Sequence, residues 1–149
     1  MASLDFDLLY QQIKKDFFSL RNGIVAEILR KVDKSHQFIY GLTVPEFISL
    51  SKKYPKDMIL GLKLWNDKKT RESRLFSLYL IPVTQLEKNK VIEMIKDVST
   101  REEAEMLAFK ILRYLPYAKE LLEEMSIVAE LSSESHHCIN MLEKNLNQT

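Results

Sequence analysis

The chain of 149 residues carries 22 basic and 21 acidic side chains and 46% hydrophobic residues, with only 3 glycines and 4 prolines. A chain of this length and hydrophobic content can fill the core of one ordinary domain, so we expect a single domain over residues 1–149. The few glycines exclude a nucleotide-binding Gly-rich loop and the G-x-S-x-G nucleophile motif, and the residue usage predicts an all-α fold.

Apolar periodicity in the first 34 residues predicts two helices. A stripe at three- and four-residue intervals indicates a first helix that ends near Arg21 or Asn22. Its members are Leu4, Leu8, Leu9, Ile13, Phe17 and Leu20. Gly23 separates this helix from a second one, which ends in the polar run DKSHQ before Phe38. The apolar residues of the second helix are Ile24, Ile28, Leu29 and Val32.

Three capping boxes predict further helix starts. Each pairs a threonine with a glutamate three residues later, so that the two side chains satisfy unpaired amides at the start of the helix. The pairs are Thr43 with Glu46, Thr84 with Glu87, and Thr100 with Glu103. A last amphipathic helix is expected after the cap candidates Ser132 and Ser133. Together these signals predict about eight short helices with short links, in a right-handed α-solenoid of antiparallel HEAT-like helix pairs.

The sequence is typical of a cytoplasmic protein without a membrane partner. Its first residues lack a basic segment followed by an apolar one, and no stretch approaches the roughly 18 apolar residues that a membrane span needs. The single cysteine, Cys138, excludes an internal disulfide and fits a reducing compartment.

Charge is distributed unevenly along the chain. Residues 35–96 hold 11 basic and 6 acidic side chains, whereas residues 97–149 hold 5 basic and 10 acidic ones. A basic middle segment can bind phosphates, and an acidic final third can receive a basic protein partner.

Two stretches carry a family resemblance. They are YGLTVPEFISLSKKY from Tyr40 and LGLKLWNDKKTRESRLFSLYLIP from Leu60. Together they resemble the amino-terminal half of the DNA alkylation repair glycosylases of the AlkD type, and the resemblance covers roughly residues 22–116. The matching positions are Gly41, Pro45, Leu64, Trp65, Glu72 and Arg74. The resemblance implies a curved stack of HEAT-like helix pairs whose concave face holds duplex DNA.

The resemblance also implies excision of alkylated bases, which carry a positive charge. Active members have a motif of the form I-x-x-W-D-x-x-D, and the aligned stretch here is VSTREEAEML from Val98. It places Arg101 where the tryptophan stands and Glu105 at the second acidic position, which makes Glu105 the candidate catalytic carboxylate. An arginine repels a cationic base but suits a phosphate, so glycosylase activity stays open. No cofactor is implied.

Basic residues in the middle segment are the candidates for contact with the phosphate backbone of duplex DNA. With Arg101, the set comprises Lys52, Lys53, Lys56, Lys63, Lys68, Lys69, Arg71 and Arg74. Residues 67–70 are expected to form a turn between helices, with Arg71, Glu72 and Arg74 in the first turns of the next helix. The alternative to phosphate contact is a solvated turn with Glu72 and Arg74 in local ion pairs. Trp65 lies in an apolar run, which favours packing between helices over stacking on a base.

Two other hypotheses follow from the residues. A protein interaction scaffold is the alternative to DNA binding, because solenoids present broad grooves. An active glycosylase using Glu105 would need aromatic rings from Phe109, Tyr114 or Tyr117. A metal site at the run His136, His137 and Cys138 is not expected, because adjacent helical residues project about 100° apart.

Overall fold

The computed structural model describes residues 5–148, and the predicted all-α class is confirmed for them. Nine α-helices and two 3₁₀ turns make up this range, which contains no β-strand. The helices are α1 (Phe6–Ser19), α2 (Gly23–Arg30), α3 (Val44–Ser51), α4 (Met58–Trp65), α5 (Arg71–Leu80), α6 (Lys88–Asp97), α7 (Arg101–Lys110), α8 (Ala118–Ser126) and α9 (Ser133–Asn147). The predicted stripe residue Leu4 lies outside the described residues.

The chain divides into two compact units, Met1–Pro82 and Val83–Thr149. Helices α1 to α5 belong to the first unit and α6 to α9 to the second. The division follows Pro82, two residues after the end of α5. A single domain over residues 1–149 stays a prediction, and each unit is described by itself.

Helix α5 is the central element of the first unit, because every one of its ten residues is buried. Helix α4 packs antiparallel to it, since the amide of Asp57 before α4 donates to the carbonyl of Leu80 at the end of α5 over 3.0 Å. Gly61 allows a close approach, because a Cβ atom there would lie 2.5 Å from Cγ1 of Ile81. The Phe76 ring of α5 also meets Phe17 of α1 edge to face, with ring centroids 5.7 Å apart.

The second unit has its own apolar core. Helices α7 and α9 form its most extensive helix–helix contact, and α6 and α8 also pack on α9. The hydroxyl of Ser135 at the start of α9 donates to the carbonyl of Ile95 in α6 over 2.7 Å. The residues of this core with no exposed surface include Val91, Ile95, Leu107, Ile111, Leu121 and Leu142.

Two of the three predicted capping boxes start helices. Thr43 and Glu46 form the full box at α3. At α7 the hydroxyl of Thr100 accepts from the amide of Glu103, but the carboxylate of Glu103 accepts from Ser99 instead of Thr100.

The box predicted at Thr84 and Glu87 is wrong. Thr84 lies in a 3₁₀ turn (Val83–Gln85), and Glu87 is the residue before the first turn of α6. The carbonyl of Leu86, which a helix through this point would use internally, accepts from the hydroxyl of Tyr117 over 2.8 Å. Leu86 is itself buried. Tertiary contacts therefore delay the start of α6.

Gly23, the first residue of α2, and Gly41, which packs against α2, should respond in opposite ways to alanine. Gly41 has a φ of +91°, and a Cβ atom there would lie 2.9 Å from the backbone nitrogen of Ala26. We expect Gly41→Ala to lower the free energy of unfolding by about 1–3 kcal/mol through backbone strain. A Cβ atom on Gly23 would meet nothing within 4 Å, so Gly23→Ala should raise that free energy by about 0.4–1 kcal/mol. Urea denaturation measures both changes, and equal effects would contradict this reading of Gly41.

Candidate nucleic-acid interface

Glu72 lies inside the first unit and holds the segment that leads into α3. Its side chain has no exposed surface, and its carboxylate accepts hydrogen bonds from three consecutive backbone amides. These are the amides of Tyr40 at 2.9 Å, Gly41 at 3.0 Å and Leu42 at 3.4 Å. A buried carboxylate is stable only where donors replace the water that it loses. Glu72 therefore fixes residues 40–42, and α2 packs against this same segment at Gly41.

Arg71 supplies the opposite charge to this carboxylate. Its guanidinium lies 2.5 Å from Glu72 and donates to the carbonyl of Leu42 over 3.0 Å. A single parallel bridge of backbone hydrogen bonds continues the same connection. The amide of Phe38 donates to the carbonyl of Lys69, and the amide of Arg71 donates to the carbonyl of Phe38. The first turn of α5 is thus joined to residues 38–42 by both side-chain and backbone bonds.

Asp67 plays a similar part at the turn before α5. Its carboxylate accepts from the ammonium group of Lys14 in α1 and from the hydroxyl of Ser73. Lys14 also donates to the hydroxyl of Thr70 over 3.0 Å. Burial by itself raises the pKa of the Asp67 carboxyl, but the hydrogen bonds from Lys14 and Ser73 outweigh it and hold the pKa below its usual range. Asp67 is therefore a charged link between α1 and α5.

The guanidinium of Arg74 is also buried in this region, where it contacts the ring of Trp65. The guanidinium carbon of Arg74 lies 4.0 Å from the centroid of the Trp65 ring, and the two residues are 1% and 2% exposed. The face of an indole attracts a cation, most strongly where water is excluded. The expected packing role of Trp65 agrees with this burial.

The structure places Arg71 and Arg74 in the interior, although the sequence indicated that they face a phosphate or solvent. They are 4% and 1% exposed, so their guanidinium groups contact the protein itself. The turn at residues 67–70 and the start of α5 at Arg71 are as predicted. The charged stretch thus holds the first unit together, and the two arginines are not accessible to a bound strand in this conformation.

The six candidate lysines lie at three places in the first unit. Lys52, Lys53 and Lys56 are exposed in the connection between α3 and α4. Lys68 and Lys69 are exposed in the turn between α4 and α5. Lys63 is half-buried within α4, where its ammonium group lies 2.8 Å from Asp7 and 5.1 Å from the centre of the Tyr10 ring.

The two exposed lysine groups occupy opposite ends of the α4–α5 pair. Helix α4 has eight residues, so its ends are separated by about 12 Å. The groups therefore do not form one cluster. The trio Lys52, Lys53 and Lys56 makes no hydrogen bond or ion pair through its ammonium groups with any residue between 5 and 148. Lys53 also borders an open cleft of about 310 Å³ that Leu20 and Leu50 line.

Glu105, the candidate catalytic carboxylate, lies on the exposed side of α7 in the second unit. Its carboxylate is 2.8 Å from Nε2 of His137 in α9. Arg101 is exposed at the first residue of the same helix. Arg101 therefore lies in the second unit, whereas all the other candidate residues for DNA contact lie in the first.

Two of the three aromatic rings predicted to assist Glu105 already face a cation of the protein. Arg113 lies over Phe109 and Tyr114, with its guanidinium carbon 3.9 and 4.6 Å from the ring centroids. It also donates to the Tyr114 hydroxyl over 2.5 Å. The third predicted ring, Tyr117, donates its hydroxyl to Leu86. A cationic base would compete with Arg113 for the same ring faces, so this arrangement does not favour its capture.

The run at His136, His137 and Cys138 does not gather metal ligands, and residues 5–148 contain no group of three side chains that could hold an ion. Cys138 is fully buried, and burial raises the pKa of its thiol to about 12. Its thiol is therefore protonated at neutral pH and unreactive in the folded state.

Sequence reasoning missed an exposed apolar surface on α2. The helix has no buried residue, Ile24 and Ile28 in it are 75% and 59% exposed, and Val32 just after its end is 82% exposed. The periodicity identified these residues as one stripe but did not show whether the rest of the chain covers it. Large aliphatic side chains exposed together often mark a binding surface.

Comparisons with known proteins add no relative to this description. No helix within residues 5–148 is long and apolar enough to cross a membrane. No protein-family model, curated protein or solved structure matches the chain. The resemblance to AlkD-type glycosylases therefore stays a prediction.

Proposed function

We propose that the protein is a HEAT-like α-solenoid that binds the backbone of duplex DNA without excising a base. The observation that carries the proposal is the trio Lys52, Lys53 and Lys56, three exposed ammonium groups within five residues. They make no ion pair within the described part of the chain. Lysines that no carboxylate neutralises are suited to replacing the counterions of a phosphate backbone. The family resemblance and the antiparallel α4–α5 pair support the same proposal.

The absence of excision rests on the surroundings of Glu105. Its carboxylate is engaged by His137, and two of the three predicted rings, Phe109 and Tyr114, are covered by Arg113. Arg101 replaces the aromatic residue of the family motif and repels a cationic base. We therefore expect no release of alkylated bases, and contacts to phosphates alone give binding that does not depend on sequence.

The test is duplex binding across a salt series for a triple variant, Lys52→Gln with Lys53→Gln and Lys56→Gln. The wild type should bind a short fluorescent duplex with an affinity that falls steeply as salt rises. The variant should bind more weakly, and the slope of log affinity against log salt should shrink by roughly 0.9 for each phosphate contact that is lost. Fluorescence anisotropy measures both quantities.

A matched control removes the same total charge from the second unit. Lys96, Lys119 and Lys144 are also exposed, so their joint change to glutamine lowers the net charge equally without touching the trio. It should leave the salt slope close to that of the wild type. Equal loss in both triple variants would indicate attraction by net charge only, and absence of wild-type binding at low salt would overturn the proposal.

A protein interaction scaffold is the second candidate function. The apolar stripe on α2 is the feature that favours a scaffold. The acidic final third favours it less, because some of its carboxylates are neutralised by ion pairs within the second unit. Lys88 makes ion pairs with both Glu120 and Glu124 of α8. A partner that binds through α2 would remain bound at high salt, unlike duplex DNA.

A further inference from the structure

Helix α2 exposes an apolar stripe that the described part of the chain does not cover. Ile24, Ile28 and Val32 recur every four residues. Ile24 and Ile28 lie on one side of α2, and Val32 follows in the turn after the helix ends at Arg30, beyond the cap residue Lys31, which keeps helical backbone angles. They retain more than half of their exposed surface, and no residue of α2 is buried. Burial of such aliphatic side chains is strongly favourable, and the stripe is therefore suited to association.

Another side of α2 is already fixed to its own unit. A Cβ atom on Gly41 would lie 2.9 Å from the backbone nitrogen of Ala26 and 3.3 Å from Cβ of Val25, so the segment around Gly41 presses against that side. Arg30 also turns toward its own chain, where it donates to the carbonyls of His36 at 2.5 Å and Gln37 at 3.3 Å. The stripe itself stays outside these contacts, as its exposed fractions show.

One border of the stripe carries two opposite charges. At about 100° per residue, Glu27 and Lys31 lie about 100° and 60° from Ile28, on the same side of the stripe. Both side chains are exposed, and neither makes an ion pair with any residue between 5 and 148. The border therefore offers a positive and a negative charge one helical turn apart.

We propose that this face binds a second copy of the chain, with the two α2 helices antiparallel about a twofold axis at Ile28. The axis places Ile28 against its counterpart and Ile24 against Val32 of the second copy. Glu27 then lies within about 3 Å, measured along the helix axis, of Lys31 of the second copy. Twofold symmetry repeats this ion pair, so the surface is complementary to itself in both shape and charge.

The test uses charge reversal at the two border residues. Sedimentation velocity of the wild type should show a monomer that converts to a dimer as concentration rises. Glu27→Lys places two lysines together at each contact, and Lys31→Glu places two glutamates together, so each variant alone should remain monomeric. An equal mixture of the two variants should recover a heterodimer, because each lysine at position 27 then faces a glutamate at position 31.

The mixture separates the interface from effects within one helix, since each variant keeps its own α2. A matched control, Glu123→Lys on the exposed surface of α8, should leave dimerisation unchanged. A wild type that is monomeric at the highest soluble concentration overturns the proposal, as does a dimer that tolerates both reversals. Cosedimentation of a monomeric wild type with anionic phospholipid vesicles would instead identify a membrane surface as the occupant.

Discussion

Glu72→Gln should lower the free energy of unfolding by about 3–5 kcal/mol, the cost typical of removing one partner of a buried ion pair. The change keeps the shape of the side chain but leaves the guanidinium of Arg71 without the carboxylate that lies 2.5 Å away. It also turns one acceptor oxygen into a donor beside the amides of Tyr40 and Gly41. Urea denaturation followed by far-UV circular dichroism measures the loss.

Glu46→Gln is the matched control for this substitution. Glu46 also accepts from a backbone amide, that of Thr43 at 2.9 Å, but it does so in the capping box at the start of α3. Glutamine can take the same role in a capping box, so we expect a change within about 0.5 kcal/mol. Similar costs for the two substitutions would contradict the special role of the buried carboxylate.

Trp65→Ala should cost about 3–5 kcal/mol of unfolding free energy, as expected for a large buried aromatic residue. Besides the cavity, the substitution removes the ring that lies over the guanidinium of Arg74. Because Trp65 is the single tryptophan of the chain, circular dichroism must follow the unfolding of this variant.

Trp65→Phe distinguishes loss of volume from loss of the ring. Phenylalanine keeps a π-face for Arg74 and much of the packing, so its cost should be clearly smaller than that of alanine. If both substitutions cost less than about 1 kcal/mol, Trp65 behaves as a surface residue and the described packing around it is wrong.

Much of the fold follows from local signals in the sequence. Helix periodicity and the threonine caps at α3 and α7 act over a few residues, so they could be identified from the sequence. The failure at Thr84 came from a long-range contact, the hydrogen bond from Tyr117 to Leu86. No pattern near Thr84 reveals a donor that lies more than 30 residues away.

The charged stretch shows the same limit at the candidate site. Charges are usually exposed, so Arg71, Glu72 and Arg74 were interpreted as surface residues. One signal pointed the other way, because the apolar residues of α5 cover more than half of the circumference of the helix, a wider stripe than a helix at the surface needs. These apolar residues are Leu75, Phe76, Leu78, Tyr79 and Leu80. Partners such as the amides of residues 40–42 could not be identified from spacing.

The exposed lysines were predictable as residues but not as a surface. Lys52, Lys53 and Lys56 are close in sequence, so their grouping follows from the short connection that holds them. Their separation from Lys68 and Lys69 depends on the antiparallel packing of α4 and α5. Net charge alone could not distinguish the two groups, because it carries no information about position.

The most direct test of the proposed interface is a titration of the labelled protein with a short DNA duplex, followed by backbone amide NMR spectra at low salt. We expect the largest shifts at residues 51–57, around the exposed trio, and much smaller shifts at residues 71–74 inside α5. Shifts centred elsewhere, or no shifts at residues 51–57 when duplex is in excess, would contradict binding through these lysines.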